Sequence, residues 1–212
     1  MFELNPNPTI TTELLEDTTI WYIDNFYQNP DEILGYFLSI NPVYYKARET
    51  SNNGNLFHDM RHLLDDNITH VYEYLANICG GLVNRREVTT NCFRFVDCEF
   101  NDYQNSYWYP HYDDGYTGIV FFNQDEDSGT NIYKCLDSSE DEMRAHTPEH
   151  FAPWRSKDKY ELLKSMKPRY NRCILFNAKR YLHGQNIIDD RYTKHFRLNQ
   201  VLFLDSHEQR WH

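Results

Sequence analysis

The segment YPHYDDGYTGIVFFN, residues 109–123, places a polar pair directly ahead of an apolar run. The run TGIVFFN (117–123) is short, β-branched and aromatic, which predicts a buried strand. His111 and Asp113 lie two residues apart before this strand, and side chains two apart on an extended segment point to the same side. The segment therefore places two candidate metal ligands on one face at the head of a strand, with Tyr112 on the other face. Polar residues in a loop before a strand are the alternative at this point.

Four further runs share the length and composition of this strand. Each is rich in β-branched and aromatic residues and is bounded by turn-forming residues, which is the pattern of buried or half-buried strands. No helix is needed to connect most of them, so the chain after residue 87 is predicted to be mainly β. The runs are VTTNCFRFVDCEF (88–100), TNIYKCL (130–136), NRCILFN (171–177) and RLNQVLFL (197–204).

Two stretches of the N-terminal third carry helix signals. WYIDNFYQNPDEILGYFLSI (21–40) begins like a strand, but Pro30 followed by two acidic residues indicates a helix start, because both fit the first turn. RHLLDDNITHVYEYLANICGG (61–81) places six apolar residues near one helical face and ends at a glycine pair. The first third is therefore predicted to be mostly helical. The six apolar residues are Leu63, Leu64, Ile68, Val71, Leu75 and Ile78.

Charge and proline content divide the chain without indicating a second domain. Residues 137–168 interrupt the strand series with a highly charged stretch, in which KDKYELLKSM (157–166) is predicted to be a short helix. We interpret this stretch as an insertion or lid over a β core. The resulting division is a helical support region at 1–87, a core at 88–205 and a tail at 206–212, all within one domain.

The composition is that of a globular chain with an aromatic core. Of the 212 residues, 40% are hydrophobic and 16% aromatic, which excludes collagen-like and disordered chains. The formal net charge of −11 argues against nonspecific binding to nucleic acid or to an anionic membrane. We expect a cytoplasmic protein without a membrane span, because no long apolar run and no signal-peptide pattern is present. The five scattered cysteines form no CxxC motif, which indicates reduced thiols.

His183 supplies the third ligand that a mononuclear iron site of the 2-His-1-carboxylate type requires. Such a site holds two histidines and one carboxylate on one face of the metal and leaves the other positions open. His183 follows the run at 171–177 and a turn, far enough from His111 and Asp113 to come from a distant strand. A buried histidine that caps a turn is the alternative for His183, but the three residues together predict a metal site.

An arginine near the last strand would complete a pocket for an acidic cosubstrate. A planar guanidinium binds a carboxylate through two parallel hydrogen bonds. Arg197 opens the run at 197–204 and is the first candidate. Arg191 is its competitor, although its neighbours Asp189 and Asp190 favour a salt bridge within a turn.

In this combination the sequence resembles the iron(II)/2-oxoglutarate-dependent dioxygenases, and within them the prolyl-4-hydroxylase-like branch. The resemblance covers about residues 88–205, where PHYDDGYTGIVFFN, SGTNIY, NRCILFNAKRYLHG and RLNQVLFL follow the order of the family's motifs. The stretch IDNFYQNPDEILGYFL (23–38) also looks like small bacterial and phage-borne members. The resemblance implies a mainly β fold with N-terminal helices, namely a double-stranded β-helix, which is the cupin-like jelly roll.

The resemblance also implies the metal chemistry of the site. His111, Asp113 and His183 would be the iron(II) ligands and the catalytic residues. With 2-oxoglutarate and O2 as cosubstrates and ascorbate as an accessory reductant, the enzyme would hydroxylate a C–H bond and release succinate and CO2.

Four residues are expected to bind the cosubstrate. Arg197, with Arg191 as the alternative, would pair with the far carboxylate of 2-oxoglutarate. Thr130 lies in SGTNIY (128–133), which resembles the family's Gly-Gly-Thr strand. Phe121 stands at a strand position where some members carry a tyrosine toward the cosubstrate.

The substrate class stays open between two enzymatic readings and one non-enzymatic reading. The first candidate substrate is a peptidyl proline or a related side chain. The second is a free amino acid or other small metabolite, and an Arg172 or Arg191 side chain facing the iron would favour this second candidate. The non-enzymatic alternative is a jelly-roll module that binds a ligand without turnover. A nucleic-acid demethylase is disfavoured, because such enzymes need a basic groove and this chain is acidic. The oligomeric state, monomer or homodimer, stays undetermined. Aromatic residues expected to line the substrate pocket are Tyr103, Tyr107, Trp108 and Tyr109.

Overall fold

A computed structural model gives the fold of the chain. The described residues form two antiparallel β-sheets and two α-helices, so the protein is mainly β, as predicted. The structure describes residues 1–39, 43–46, 58–64, 68–80, 83–84, 91–97, 110–139, 141–142, 157–193 and 197–206.

Nine strands form one antiparallel sheet, here called the large sheet. They are β1 (Thr9–Leu15), β2 (Thr18–Asp24), β3 (Val43–Lys46), β4 (His58–Leu64), β5 (Val83–Asn84), β6 (Asn91–Asp97), β7 (Gly115–Phe121), β10 (Arg172–Asn177) and β12 (Asn199–Ser206). Their order is β1-β2-β10-β7-β12-β6-β4-β3, and the short β5 pairs with the end of β12.

Three strands form the second sheet, here called the small sheet. They are β8 (Thr130–Cys135), β9 (Tyr160–Met166) and β11 (Leu182–Gln185), and their order is β11-β8-β9. From β7 onward the chain passes from the large sheet to β8 and β9, returns to β10, crosses to β11 and returns to β12. Strands that are distant in sequence therefore become neighbours in both sheets.

The space between the two sheets is filled by an apolar cluster. Side chains from β7, β8 and β10 meet there, and all seven residues of β7 are buried, because both faces of this strand are covered. This burial on both faces explains why the sequence of β7 has no charged residue and does not alternate between apolar and charged residues. Members of the cluster include Ile20, Ile119, Phe121, Ile132, Ile174 and Phe176.

The two helices cover the opposite face of the large sheet. The first helix, α1 (Pro30–Ser39), begins at Pro30 as predicted, and the second, α2 (Thr69–Ile78), packs Leu75 close to β7 at Gly118. A Cβ added at Gly118 would lie 3.3 Å from the Leu75 side chain, so glycine lets the helix approach closely. None of the helices in the described part of the chain combines the length and the apolar character that a membrane span needs.

All five strand runs predicted from the sequence are confirmed, but the prediction of a mostly helical N-terminal third is wrong. The described part of residues 1–87 contributes five strands to the large sheet beside the two helices. The helix predicted from residue 61 begins only at Thr69, because Leu63 and Leu64 belong to β4. β4 pairs with β6 along its whole length, a long-range contact that local apolar spacing does not reveal.

The short helix predicted at 157–166 is also wrong. Tyr160–Met166 forms β9, an edge strand of the small sheet, so this part of the presumed lid belongs to the β core. An irregularity in the pairing with β8, between Ile132 and Tyr133, breaks the alternation of buried and exposed residues along β9. The sequence therefore loses the period-two signal of a strand. Residues 140 and 143–156 of the predicted lid lie outside the described residues.

Gly129 lies just before β8 of the small sheet, at a point where no side chain fits. A Cβ at this position would lie 1.9 Å from the backbone oxygen of Met166 on β9. The carbonyl of Gly129 also accepts a hydrogen bond from Arg197, at 2.9 Å. The close approach therefore fixes the start of β8 against β9 and positions an acceptor for a buried arginine.

We predict that Gly129→Ala lowers the free energy of unfolding by roughly 3 kcal/mol, because backbone atoms cannot move aside as a flexible side chain can. Urea unfolding of the purified variants would measure the change. Gly35→Ala is the matched control, since a Cβ at this helical position meets nothing within 4 Å. It should be neutral or stabilise by up to about 1 kcal/mol. Equal stability of the two variants would contradict the prediction.

Candidate metal centre

A backbone pair places the first and third predicted ligands side by side. The N–H of His111 donates to the carbonyl of His183 at 3.0 Å, and the N–H of His183 donates to the carbonyl of His111 at 2.9 Å. Residues that exchange both hydrogen bonds in an antiparallel pair point their side chains to the same face. The two imidazole rings accordingly lie 4.4 Å apart, centroid to centroid.

Asp113 is held by the turn that connects β10 to β11. Its N–H donates to the carbonyl of Ala178 at 3.1 Å, and the N–H of Lys179 donates to the carbonyl of Gly115 at 2.8 Å. The Asp113 side chain lies on the side of His111, which confirms the period-two argument. The same turn therefore leads to His183 and fixes the carboxylate beside it.

The two residues adjacent to Asp113 take the positions expected for them. Asp114 is exposed, in keeping with a turn residue. The hydroxyl of Tyr112 donates to Asp141 Oδ1 at 2.6 Å, so this ring is engaged with the segment after β8. Asp113 is consequently the carboxylate that meets the histidines.

The three ligand side chains have a geometry that fits one metal ion. His183 Nε2 lies 3.3 Å from Asp113 Oδ2, and His111 Nε2 lies 3.7 Å from Asp113 Oδ1. One ligand atom from each residue lies within 4.8 Å of the other two. Ligand atoms at about 2.1 Å from one ion are about 3–4 Å apart, so small side-chain rotations suffice to bind it. Among the described residues this is the group of three that could hold a metal.

Electrostatics keep the Asp113 carboxylate ionised. Burial is the largest single influence and would raise the pKa of Asp113, but the imidazole of His183 and the other neighbours together lower it further than burial raises it. His111 and the hydroxyl of Thr117 add to this effect, and the resulting pKa is about 2. Because a metal binds the carboxylate and not the acid, Asp113 is ready to act as a ligand at neutral pH.

The ring of His183 is oriented from two sides. Its Nδ1 lies 3.4 Å from the carbonyl oxygen of Tyr181, which is a long contact. Its ring packs edge-on against the ring of Phe176, with the two centroids 5.1 Å apart. A proton on Nδ1 that points to a carbonyl leaves the lone pair of Nε2 for a metal. The side chain is 6% exposed, so the ligand atom is shielded from bulk water.

Thr117 was missed by the sequence analysis. Its hydroxyl donates to Asp113 Oδ2 at 2.5 Å, from the first inward-facing position of β7. The ligand carboxylate is thereby fixed by a second residue, which is a common feature of metal sites. Only a weak signal was present in the sequence: Thr117 is the one serine or threonine in GYTGIVFF (115–122).

Arg197 lies at the far end of the same interior. It is 2% exposed, and its guanidinium donates to the carbonyls of Ser128 and Gly129 and to Asn199 Oδ1, at 2.9–3.2 Å. The guanidinium also lies over the ring of Phe121, 5.6 Å from its centroid. Two predicted cosubstrate residues are thus in contact with each other.

Thr130 occupies the wall between the metal ligands and Arg197. It is buried and lies on the same face of β8 as Ile132, the residue paired with His183. Thr130 follows Gly129, whose carbonyl accepts a hydrogen bond from Arg197. The structure therefore places Thr130 on the interior face of the small sheet.

Arg191 is engaged elsewhere. Its guanidinium binds Asp127 at 2.6 Å and Asp189 at 2.7 Å, on a 3-10 turn at Asp190–Thr193. The salt bridge expected from its acidic neighbours is present. The aromatic residues expected to line the substrate pocket, at 103 and 107–109, lie outside the described residues.

No family model matches the chain, and no curated protein matches it significantly. The function of the site must therefore be inferred from its residues and their geometry.

We predict that Thr117→Val lowers the affinity for a divalent metal by about 10- to 100-fold, because Asp113 loses the donor that orients it. Thr117→Ser keeps the hydroxyl and should stay within a few-fold of the wild type. Titration with cobalt(II), followed by its visible absorption, would measure both affinities. Equal affinities of the valine and serine variants would show that the hydroxyl does not orient the ligand.

Proposed function

We propose that this protein is a non-haem iron(II)- and 2-oxoglutarate-dependent dioxygenase. The observation that carries the proposal is the group formed by the buried His183 and the partly buried His111 and Asp113, with the carboxylate fixed by Thr117. Two histidines and one carboxylate on one side of a metal are the ligand set of non-haem iron oxygenases, which need open positions for two cosubstrates.

The strand order supports a double-stranded β-helix as the scaffold. With the segment at His111 counted as a short strand, the small sheet has the order His111-β11-β8-β9, and the central large sheet has the order β6-β12-β7-β10. Successive strands cross between these two four-stranded layers, as in jelly rolls, which fold two sheets over one core. In this arrangement the ligands come from neighbouring strands at one end of the layers.

The position of Arg197 fits the anchor of a dicarboxylate cosubstrate. Thr117, beside the metal ligands, and Phe121, beside Arg197, lie on the same face of β7 and are four residues apart, or about 13 Å along the strand. A small extended dicarboxylate can lie along this face of β7, with one end at the metal and the other end toward the guanidinium. The three hydrogen bonds of Arg197 named above go to neutral oxygens, so a carboxylate would bring the opposite charge to this buried cation.

Each residue has a defined task in the proposed reaction. His111, Asp113 and His183 would hold the iron, and Arg197 with Thr130 would orient 2-oxoglutarate toward it. When bound, iron supplies the coupled decarboxylation of 2-oxoglutarate and hydroxylation of a substrate C–H bond, with succinate and CO2 as products. The apolar side chains of Ile119 and Phe121 would exclude water from the space between metal and anchor.

A peptidyl proline or a related side chain remains the first proposed substrate. A free amino acid would require a charged clamp near the iron, and neither arginine considered for it is placed to serve. Arg172 is paired with Asp24 at 2.6 Å, and Arg191 is paired with Asp127 and Asp189. Succinate release with a proline-rich peptide, compared with release with free amino acids, separates the two substrate classes.

We predict that the wild-type protein, titrated anaerobically with iron(II) and then with 2-oxoglutarate, develops the visible charge-transfer absorption of the metal–cosubstrate chelate. Asp113→Ala should lose this absorption while its urea unfolding remains cooperative. Asp114→Ala, a change at the adjacent exposed carboxylate, is the matched control and should retain the absorption. A wild-type protein that binds no iron would favour a non-catalytic binding module and exclude both hydroxylase readings.

We predict that Arg197→Gln weakens 2-oxoglutarate binding by about 100-fold or more, because a buried charge-assisted pair is lost. Iron(II) binding should persist, which separates loss of the anchor from misfolding. Arg191→Gln is the control and should change 2-oxoglutarate affinity by less than about 3-fold, since it breaks only partly exposed ion pairs. A larger effect at Arg191 than at Arg197 would reverse the choice of anchor.

A further inference from the structure

The first strand of the chain forms an open edge of the large sheet. β1 pairs with β2 through all seven of its residues, and in the part of the chain that the structure describes no strand lies on its other side. Five of the seven β1 residues are exposed. An edge of this kind presents backbone N–H and C=O groups that can pair with another strand.

This edge lacks the features that usually prevent pairing. Its sequence, TITTELL, contains no proline and no lysine, and its register with β2 is unbroken. The single charge, Glu13, is bound by Lys164 at 2.5 Å and by the hydroxyl of Tyr22 at 3.2 Å. Two apolar residues face solvent, Ile10 at 45% and Leu14 at 70% exposure. The edge is therefore regular, exposes two apolar side chains, and carries a single charge that is already paired.

We propose that β1 pairs antiparallel with β1 of a second copy of this chain, so that the two large sheets become continuous in a homodimer. The sequence of the strand is self-complementary about Thr12. In this register Ile10 lies opposite Leu14 of the other copy, twice by symmetry, and Thr12 lies opposite itself. Directly opposed side chains on one face are the pairs that stabilise an antiparallel sheet.

Two-fold pairing centred on either residue next to Thr12 would be less favourable. Centring the pair on Glu13 would oppose two like charges, and centring it on Thr11 would leave Leu14 without an apolar partner. Only the register about Thr12 buries both Ile10 and Leu14 and places Glu13 opposite Thr11. The charge pattern and the apolar pattern of the strand therefore select the same pairing.

The expected dimer is weak and depends on conditions. Two seven-residue edges bury less than the ~1,200 Å² of a standard interface, so the dimer should form and dissociate with concentration. Each chain carries a formal charge of −11, and its repulsion falls with ionic strength. The dimer should therefore be stronger at higher salt, unlike an association that depends on ion pairs.

The first test is the molecular mass in solution. Sedimentation of the full chain between about 1 µM and about 100 µM should reveal a monomer–dimer equilibrium, and Leu14→Lys should raise its dissociation constant at least ~10-fold. Leu38→Lys makes the same change at a helix position that is 65% exposed and should leave the dimer unchanged. A wild-type protein that stays monomeric at ~100 µM, or equal effects of the two variants, would overturn the proposal.

The second test reads the register directly. Thr12→Cys places two thiols opposite each other, at a Cβ separation of about 4–5 Å that a disulfide can bridge, so mild oxidation should yield a covalent dimer. Leu14→Cys alone should not cross-link above the background of the wild type, because its two thiols would lie about 13 Å apart. A mixture of Ile10→Cys and Leu14→Cys chains should cross-link. Cross-linking of Leu14→Cys alone in preference to Thr12→Cys would overturn the register.

Discussion

The backbone pair between His111 and His183 is the contact on which the proposed site depends. It joins a segment that precedes β7 to a strand that follows β10, two parts of the chain that are far apart in sequence. Because the pair is antiparallel and direct, both imidazoles point to the same face of the small sheet. Asp113 then follows by period two, and the turn at Ala178 fixes its distance from His183. Three ligands thus result from one strand contact and one turn.

Electrostatic pairing lowers the free-energy cost of placing the Asp113 carboxylate in a largely apolar interior. An unpaired carboxylate beside the cluster of Ile119 and Phe176 would be costly, but two imidazoles and the hydroxyl of Thr117 surround Asp113 and lower its pKa. Arg197, at the other end of β7, is stabilised by carbonyl groups and by an aromatic ring. The interior therefore has a negative group at one end and a positive group at the other, separated by apolar side chains.

Sequence patterns predicted the parts of the site that depend on short-range geometry. The pair His111 and Asp113 followed from the alternation of side chains, and the strands beside it followed from apolar runs of the right length. His183 was chosen as the third ligand from its place after a predicted strand and turn, but no local pattern shows that the strand crossing between the sheets brings it beside the other two. Thr117 was not predicted, since a threonine in a strand is common and only the fold points its hydroxyl at a carboxylate.

The errors have the same physical origin. Leu63 and Leu64 continue the helical spacing of α2, yet they pair with β6, and long-range pairing overrides local periodicity. In β9 a pairing irregularity interrupts the alternation, so the adjacent residues Glu161 and Leu162 are both exposed between buried strand ends. A local sequence pattern predicts a helix or strand well only where the pairing with neighbouring strands leaves the regular spacing of buried residues intact.

The N-terminal region is part of the structure that holds the ligands. β2 pairs with β10 from Cys173 to Leu175, and the side chain of Asn171, before β10, exchanges two hydrogen bonds with the backbone of Tyr27. β10 leads directly into the turn whose carbonyl at Ala178 holds the backbone of Asp113. A disturbance of the N-terminal strands can therefore reach the carboxylate ligand through a single strand. For the same reason, a second copy that extends the sheet at β1 would stiffen β2 and β10, and through them the position of Asp113.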